Sequence, residues 1–315
     1  MNRRDILALM ASAVAIPALA QTTQAPKQLR IGYQKNGVLL IAKQQKLFET
    51  RFAPLGMEVK FVEFSSGPPL LEALNAGAID YGTTGDSPPI FAQAARANLL
   101  YVAVQPSAGS TSAILIKEGS PIRGLAELKG RKVAFTKASS AHNVTIAALE
   151  KAGLQYADIT AVYLQPADAA AAFTRGSIDA WTIWDPYFAI AEAQPGTKIL
   201  ATAADIVRQN SYYLANRDFT TKYPHIVGAV NEEIAKASRW TSDNRGQAAE
   251  LFAQATGIPK EIQAKTISRS EFVIAPVNED VIAEQQAIAD RFHKLELIPA
   301  PIKVRDIVWT WTPNT

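Results

Sequence analysis

The sequence predicts an α/β fold built as two similar units with a helical C-terminal part, and three observations support this prediction. Short apolar segments with strand character alternate with helical patterns between residues 29 and 215. One helix–strand–helix segment occurs twice, and the chain after residue 215 has helical patterns only. Alternating strands and helices are typical of sheets with parallel strands that are covered by helices.

The repeated segment carries the first indication of function. Three positions recur with the same offset of 99 residues (176 − 77, 179 − 80 and 185 − 86), namely Gly77 and Gly176, Asp80 and Asp179, and Asp86 and Asp185. In both copies a helix ends at the glycine, a strand follows, and an aspartate with a nearby proline begins a new helix. Open α/β folds bind ligands at such helix N-termini beside strand ends. Two copies therefore indicate two lobes facing one small molecule, with two unrelated units and ordinary helix caps as the alternative.

The elements of the first unit follow from hydrophobic periodicity. Residues 57–64 alternate between apolar and polar side chains, as a half-buried strand does. Further strands are predicted at 29–33, 101–105 and 112–117. Apolar residues at helical spacing predict helices at 37–49 and 70–76, separated from the preceding strand by glycine and proline at 65–69.

The second unit repeats this alternation and then returns to the first. Strands are predicted at 132–136, 160–164, 179–183, 198–201 and 211–215, and helices at 141–152 and 167–175. Four helices follow, at 222–240, 246–255, 259–266 and 278–295. This order predicts a discontinuous first lobe (28–115 and 213–315), a second lobe (116–212), and two crossing strands near 114–117 and 211–214 at a hinge.

The first residues predict export. A basic segment at 1–5 precedes an apolar stretch at 6–16, and Ala18-Leu19-Ala20 fits a signal-peptide cleavage site, so residues 1–20 are expected to be removed. Arg3-Arg4 resembles the start of a twin-arginine signal. The apolar stretch is too short to span a bilayer, and no later stretch is longer. We therefore expect a soluble protein of the periplasm.

Charge and motifs exclude several classes of protein. The chain has 315 residues, a formal net charge of +3 and no cysteine. It has no basic run of the kind that binds nucleic acid, and it has no thiol chemistry. It also has no phosphate-binding loop, nucleophile elbow or cluster of metal ligands. We therefore expect no cofactor, no metal and no catalytic residue.

Five segments together resemble the periplasmic aliphatic-sulfonate-binding proteins of ABC importers. These segments are residues 31–35, 71–77, 85–94, 137–143 and 179–187, and residues 276–278 and 307–309 fit as well. The wider family includes proteins that bind taurine, nitrate or bicarbonate, and thiamine precursors. Ser139-Ser140-Ala141-His142-Asn143 and Trp184-Asp185-Pro186-Tyr187 are most similar to the sulfonate branch. The resemblance implies a type II periplasmic-binding fold, a monomer without catalysis, and delivery of the ligand to a membrane permease.

The chemistry of a sulfonate indicates which residues would bind it. A sulfonate is a permanent anion with three acceptor oxygens, and backbone N–H groups at helix N-termini donate to such groups. Three predicted helix starts are candidates, namely Gln34-Lys35-Asn36-Gly37, Gly85-Asp86-Ser87 with Ser87 as the N-cap, and Ser139-Ser140-Ala141-His142-Asn143. On the resemblance, the second and third are expected to face each other across the cleft. Plain helix capping is the alternative for each serine, aspartate and asparagine.

Aromatic residues are candidates for the ligand's tail. Trp184 ends a predicted strand and is expected to form an apolar wall, whereas Trp181 is expected in the core. Tyr212, or its neighbour Tyr213, is expected to add a hydroxyl at the hinge, with core packing as an equal alternative.

Three titratable residues need separate treatment. His142 lies in the first turn of a predicted helix and is expected to donate a ring N–H to the ligand or to the facing loop. Asp86 and Asp185 would repel a sulfonate, so they are expected to cap helices or to hold loop N–H groups behind the pocket. Alternatively, they face an ammonium group on a zwitterionic ligand.

Other functions remain open at this point. The same fold could bind taurine, nitrate, bicarbonate or a thiamine precursor, although the aromatic lining suits nitrate poorly. Fungal thiamine-precursor synthases resemble this fold and are enzymes, but they need reactive histidine and metal-binding features that we do not find. A sensory protein that reports its ligand to a receptor kinase is a further alternative.

Overall fold

A computed structural model describes residues 25–313, and the predicted signal peptide at 1–20 lies outside them. Two five-stranded sheets form the centres of two lobes, as the sequence predicts. The first sheet contains β1 (Gln28–Tyr33), β2 (Glu58–Glu63), β3 (Tyr81–Gly85), β4 (Leu99–Gln105) and β10 (Ser211–Asn216). The second sheet contains β5 (Ser112–Lys117), β6 (Lys132–Phe135), β7 (Thr160–Tyr163), β8 (Ala180–Trp184) and β9 (Thr197–Thr202).

The two sheets have the same plan. The strand order is β2-β1-β3-β10-β4 in the first and β7-β6-β8-β5-β9 in the second. β1 pairs in parallel with β2 and β3, and β6 pairs in parallel with β7 and β8. β10 and β5 are antiparallel to both of their neighbours, because each enters its sheet from the other lobe. The carboxyl ends of β3 and β8 therefore occupy equivalent places in the two lobes.

Twelve α-helices within residues 25–313 surround these sheets. They are α1 (Val38–Gln44), α2 (Leu47–Phe52), α3 (Gly67–Asn75), α4 (Ser87–Ala94), α5 (Ser140–Lys151), α6 (Pro166–Thr174), α7 (Tyr187–Glu192), α8 (Arg217–Lys222), α9 (Pro224–Asp243), α10 (Arg245–Thr256), α11 (Lys260–Arg269) and α12 (Glu279–Lys294). None of the helices in this part of the chain is both long and apolar enough to cross a bilayer.

Two differences from the predicted elements have local causes. The helix predicted at 37–49 is two helices, because Lys46 takes the left-handed conformation (φ 52°) between α1 and α2. The helix predicted at 222–240 begins only at Pro224, and α8 precedes it. Asn216 caps α8 by accepting a hydrogen bond from the backbone N–H of Phe219 at 3.1 Å.

The hydrophobic core explains where the C-terminal helices lie. Buried side chains of α9, α10 and α12 share one continuous core with the first sheet. The second sheet has separate apolar clusters on its two faces, under α5 on one side and under α6 and α7 on the other. The helical C-terminal part therefore belongs with the first lobe.

The chain passes between the lobes twice. Residues 106–111 connect β4 to β5, and residues 203–210 connect β9 to β10. These segments directly precede β5 and β10, which are the two strands that the sequence predicts to cross between the lobes. β5 pairs entirely within the second sheet, and β10 pairs entirely within the first.

The repeated segment has equivalent structures in both lobes. Gly77 and Gly176 follow α3 and α6 with φ values of 67° and 71°, a conformation that favours glycine. Asp80 then accepts a hydrogen bond from the backbone N–H of Arg30 at 2.8 Å, and Asp179 accepts one from that of Lys132 at 2.7 Å. These two aspartates fix the starts of adjacent parallel strands, so their role in the repeat is structural.

Candidate ligand-binding site

A cavity of about 130 Å³ lies between the two lobes. The carboxyl ends of β3 and β8 and the N-termini of α1 and α5 surround it, and α10 and α11 of the C-terminal part close another side. Its lining includes Gln34, Asn36, Gly37, Val38, Thr84, Gly85, Gln105, Ser112, Ser139, Ser140, Trp184, Asp185, Gln209, Asn210, Ser211, Tyr213, Phe252, Gln263, Thr266, Ile267, Ser270 and Phe272. The cavity thus joins the repeated loops of both lobes.

Hydroxyl groups and a helix N-terminus form one end of the cavity. Ser139 occupies the N-cap position of α5 in an extended conformation, and its hydroxyl donates to the carbonyl of Thr136 at 2.7 Å. Ser140 follows in the first turn of α5. Gly85, at the end of β3, lies so close that a Cβ atom there would be 1.8 Å from the Ser140 Oγ. This end presents hydrogen-bond donors and the positive end of the α5 dipole.

The start of α1 connects the two lobes beside this end. Gly37 precedes α1 with φ 80°, and the Gln34 amide donates to the carbonyl of Thr83 at 3.3 Å. The Asn36 side-chain amide crosses the cleft and donates to the backbone carbonyl of Asp185 at 2.8 Å. Gln34 and Asn36 both line the cavity, and Asn36 also ties the first lobe to the second.

Apolar side chains form another part of the wall. Trp184 is half-buried at the end of β8, and its ring meets that of Tyr187 edge-on at 6.4 Å. Trp181 is buried in the core of the second lobe, as the sequence predicts. Phe252 and Ile267 line the cavity from α10 and α11, and Phe272 lines it from the segment after α11.

Asp86 lies behind the serine end rather than in the cavity. It is fully buried at the N-cap position of α4 and accepts hydrogen bonds from the Ser87 hydroxyl at 2.8 Å and from the Asn143 amide at 2.9 Å. Burial raises the pKa of Asp86, while hydrogen bonds from Ser87, Asn143 and Ser140 oppose that rise. The Asn143–Asp86 contact joins α5 to the first lobe.

Asp185 is the single acidic residue of the described chain that lines the cavity. Its Oδ1 accepts a hydrogen bond from the backbone N–H of Ala189 at 3.0 Å and lies 3.5 Å from Arg269 of α11. Burial raises the pKa of Asp185 to about 6, and the nearby Arg269 acts in the opposite direction. Arg269 also pairs with Glu192 and stacks at 3.9 Å over the ring of Phe188. The acidic side chain is thus held by a neighbouring cation and by the start of α7.

The expected role of His142 does not fit the structure. Its side chain lies outside the cavity, buried among aromatic rings that include Phe135 at 4.9 Å and Phe292 at 5.3 Å. The backbone N–H of Ala138 donates to Nδ1 at 3.3 Å, and Nε2 is 3.0 Å from the Tyr156 hydroxyl. Burial lowers the pKa of His142 to about 3. Both ring nitrogens have partners, so His142 supports the start of α5 and is not part of the cavity lining.

Three other candidates also lie outside the cavity. Ser87 donates its hydroxyl to Asp86, and Asp86 rather than Ser87 takes the N-cap position of α4. Asn143 is fully buried and accepts a hydrogen bond from Arg291 of α12 at 2.8 Å. Tyr212 packs against Tyr101 and lines a second, separate cavity beside α12. Its neighbour Tyr213 lines the main cavity instead, because successive side chains of a strand point to opposite faces.

Several lining residues have no signal in the sequence. Gln209 and Asn210 come from the second segment between the lobes, and Gln263, Thr266 and Phe272 come from the C-terminal helical part. Amphipathic helices such as α11 usually bury one face in a core, and periodicity does not tell whether that face meets a core or a cleft. Only the position of α11 over the cleft distinguishes these possibilities.

Two α/β lobes with a cavity of polar and apolar walls between them are the arrangement of a solute-binding protein. Residues 22–256 match the model of the NMT1-like family, and the chain belongs to that family. It is 42% identical to a candidate aliphatic sulfonates-binding protein of Escherichia coli (strain K12), over 97% of both chains.

Solved structures share this fold over nearly the whole chain. The periplasmic aliphatic sulphonate binding protein SsuA from Escherichia coli is 43% identical with a TM-score of 0.82, over 92% of this chain and 94% of SsuA. The alkanesulfonate-binding protein SsuA from Xanthomonas axonopodis pv. citri, bound to MOPS, is 40% identical with a TM-score of 0.85. That match covers 90% of this chain and 98% of the Xanthomonas protein.

Proposed function

We propose that this protein is the periplasmic binding component of an ABC importer for aliphatic sulfonates. The observation that carries the proposal is one cavity with two chemically different parts. Hydroxyl groups and the N-terminus of α5 line one part, and Trp184, Phe252 and Ile267 line another. An aliphatic sulfonate has the matching halves, an anionic head with three acceptors and an apolar tail. The names of the most similar relatives support the same ligand class.

The head of the ligand would lie beside the close contact of Gly85 and Ser140, at the N-terminus of α5. The backbone N–H groups of the first turn of α5 are donors there, and the helix dipole stabilises negative charge. No lysine or arginine of the described residues lines the cavity. Recognition would therefore depend on hydrogen-bond geometry rather than on an ion pair, which favours a tetrahedral sulfonate with three oxygens over a group that only carries charge.

Trapping of the ligand would depend on contacts between the lobes. The Ser66 hydroxyl donates to the Gln165 side chain at 3.0 Å, and Asn36 and Asn143 reach across the cleft elsewhere. These contacts surround the cavity, so ligand entry requires the lobes to move apart at residues 106–111 and 203–210. A permease would then recognise the closed, loaded form.

The remaining expectations form part of the same proposal. The two lobes predicted at 28–115 with 213–315 and at 116–212 would end at whole strands, which moves their described bounds to 28–105 with 211–313 and to 112–202. Residues 1–20 would act as a cleaved signal peptide, and the mature protein would work as a periplasmic monomer. The ligand is bound and released without chemical change.

A thermal-shift panel on the mature protein tests this proposal. The protein is first unfolded and refolded to remove any bound ligand. It is then heated with methane-, butane- or octanesulfonate, taurine, sulfate, nitrate or a thiamine precursor. A ligand at a hundredfold excess over Kd stabilises the folded state by about 2.7 kcal/mol, so alkanesulfonates should raise the Tm and sulfate and nitrate should not.

Other outcomes of the panel would identify another function. A shift with taurine alone would indicate a zwitterionic ligand whose ammonium group lies near Asp185. A shift with nitrate or the thiamine precursor, and none with any sulfonate, would keep the fold and contradict the proposed ligand class.

A further inference from the structure

The C-terminal helices close the cavity at the side away from the serines. Gly85, Ser211 and Gln105 lie side by side on β3, β10 and β4. Neighbouring strands are about 4.8 Å apart, so Gly85 and Gln105 are roughly 10 Å apart. Gln105 donates to the backbone carbonyl of Glu271 at 2.7 Å, which places Phe272 at the Gln105 side of the cavity.

Three apolar side chains form this closing surface, which we call the end wall: Phe252, Ile267 and Phe272. Their exposed fractions are 2%, 1% and 6%, so the surrounding structure holds each of them. They belong to α10, α11 and the segment after α11, and all three line the cavity. The end wall therefore lies where the tail of a ligand held at Ser140 would point.

The end wall is rigidly supported from behind. Arg245 donates to the backbone carbonyls of Ile267 at 2.6 Å and Ser270 at 3.2 Å, and its guanidinium stacks on Phe272 at 5.3 Å. After Phe272 the chain pairs with β4, where Val104 and Ala275 exchange two backbone hydrogen bonds of 2.9 Å. A ligand tail that reaches the end wall cannot push it back without breaking these bonds.

Helix α11 also holds the second lobe. Arg269, two residues after Ile267, pairs with Glu192 and stacks on Phe188 of α7, and Lys265 pairs with Glu192 at 2.8 Å. A displacement of α11 by an overlong tail would therefore disturb contacts that join the lobes. The fit of the tail and the closure of the lobes depend on the same helix.

We propose that the end wall of Phe252, Ile267 and Phe272 sets the maximum length of the sulfonate tail. This inference rests on the proposed function, because it assigns the tail of a sulfonate to this part of the cavity. Tails shorter than the distance from Ser140 to the end wall gain affinity with every buried methylene. Longer tails lose affinity because they strain the end wall and oppose closure.

A chain-length series measured by calorimetry tests the end wall. The series runs from methanesulfonate to decanesulfonate on refolded wild-type protein and on Phe252→Ala. In the wild type, affinity should rise about fourfold per methylene up to a maximum and fall beyond it. In Phe252→Ala the maximum should move to a tail longer by about two carbons or more, because the space of a phenyl ring becomes free.

Two further variants keep the test decisive. Phe48→Ala removes an equally buried phenylalanine of the same core that does not line the cavity, and its maximum should coincide with that of the wild type. Ile267→Ala creates a smaller cavity in the end wall and should also move the highest affinity to a longer tail. This variant tests the end wall independently of whether Phe252→Ala folds.

The outcomes separate the two proposals. If neither Phe252→Ala nor Ile267→Ala changes the tail length of highest affinity, the proposed role of the end wall is wrong, while the sulfonate site is still supported. An affinity of the wild type that rises with every methylene up to decanesulfonate would also contradict the end wall and leave the sulfonate site supported. A wild type that binds no member of the series would overturn the proposed function.

Discussion

The ends of β3 and β8 are equivalent in the two lobes, but their side chains differ greatly in size. β3 ends with glycine and β8 ends with tryptophan. The offset of 99 residues that relates the repeated segments pairs Gly85 with Trp184 (184 − 85). Gly85 lets the first lobe approach Ser140 closely, whereas Trp184 covers one wall of the cavity. The two equivalent strand ends thus provide a close contact between the lobes at one position and an apolar surface of the cavity at the other.

The aspartates that follow show the same divergence. Asp86 is partnered by neutral donors, Ser87 and Asn143, and lies behind the cavity. Asp185 lines the cavity and has Arg269 within 3.5 Å. A carboxylate near a bound anion is tolerated only when donors or a cation offset its charge. The two segments thus share the glycine that ends a helix and the aspartate that precedes a strand, while the neighbours of each following turn decide what its side chains do.

Filling the close contact should have the largest effect. In Gly85→Val the new Cβ would be 1.8 Å from the Ser140 Oγ and 3.1 Å from its Cβ, so Ser140 and α5 would have to shift before the lobes could close over a ligand. We expect a loss of affinity for butanesulfonate of about 100-fold or more, measured by calorimetry. Gly228→Ala is the control, because a Cβ there meets nothing within 4 Å. Wild-type affinity in a folded Gly85→Val would show that the head binds elsewhere.

Removing the charge of Asp185 should change the pH dependence of stability. Because the pKa of Asp185 is raised to about 6 from 3.8, the fold favours its protonated form, and its ionisation costs stability as pH rises from about 4 to about 6. This rise of the Asp185 pKa corresponds to roughly 3 kcal/mol in the free energy of unfolding. Denaturant unfolding of ligand-free protein should show this loss in the wild type and not in Asp185→Asn.

An exposed carboxylate provides the control for Asp185. Asp280→Asn removes the same charge at an exposed position on α12 and should unfold with the pH profile of the wild type. Identical profiles for Asp185→Asn and the wild type would mean that Arg269 fully compensates the buried carboxylate.

Shortening Trp184 should have the smallest effect of the three and should depend on the ligand. Trp184→Ala is expected to weaken octanesulfonate binding by about tenfold and methanesulfonate binding by less than about threefold, because only a tail contacts the ring. Trp240→Ala, a half-buried tryptophan of α9 that does not line the cavity, is the control. An equal loss for both sulfonates would contradict the division of the cavity into head and tail parts.

The candidate site shows where inference from sequence ends. Gln34, Gly85, Ser139, Ser140, Trp184 and Asp185 could be selected because glycine, cap residues and strand-end aromatics have local signatures, and all six line the cavity. Tyr213 rather than Tyr212 lines the cavity, because this choice depends on which face of β10 meets the cleft. His142 has the polarity of a ligand contact, but its surroundings come from α4, α12 and β6, and no local pattern reveals them.

The alternation of strands and helices, the duplication and the two lobes could be read from the sequence alone. These features depend on periodicity, capping and short motifs, which act between residues close in the chain. Only the tertiary structure decided that α10 and α11 cover the cleft, that Arg269 partners Asp185, and that Phe252, Ile267 and Phe272 close the cavity. The physical reason is that these contacts join residues distant in sequence, and their geometry follows from how the C-terminal helices pack on the first sheet.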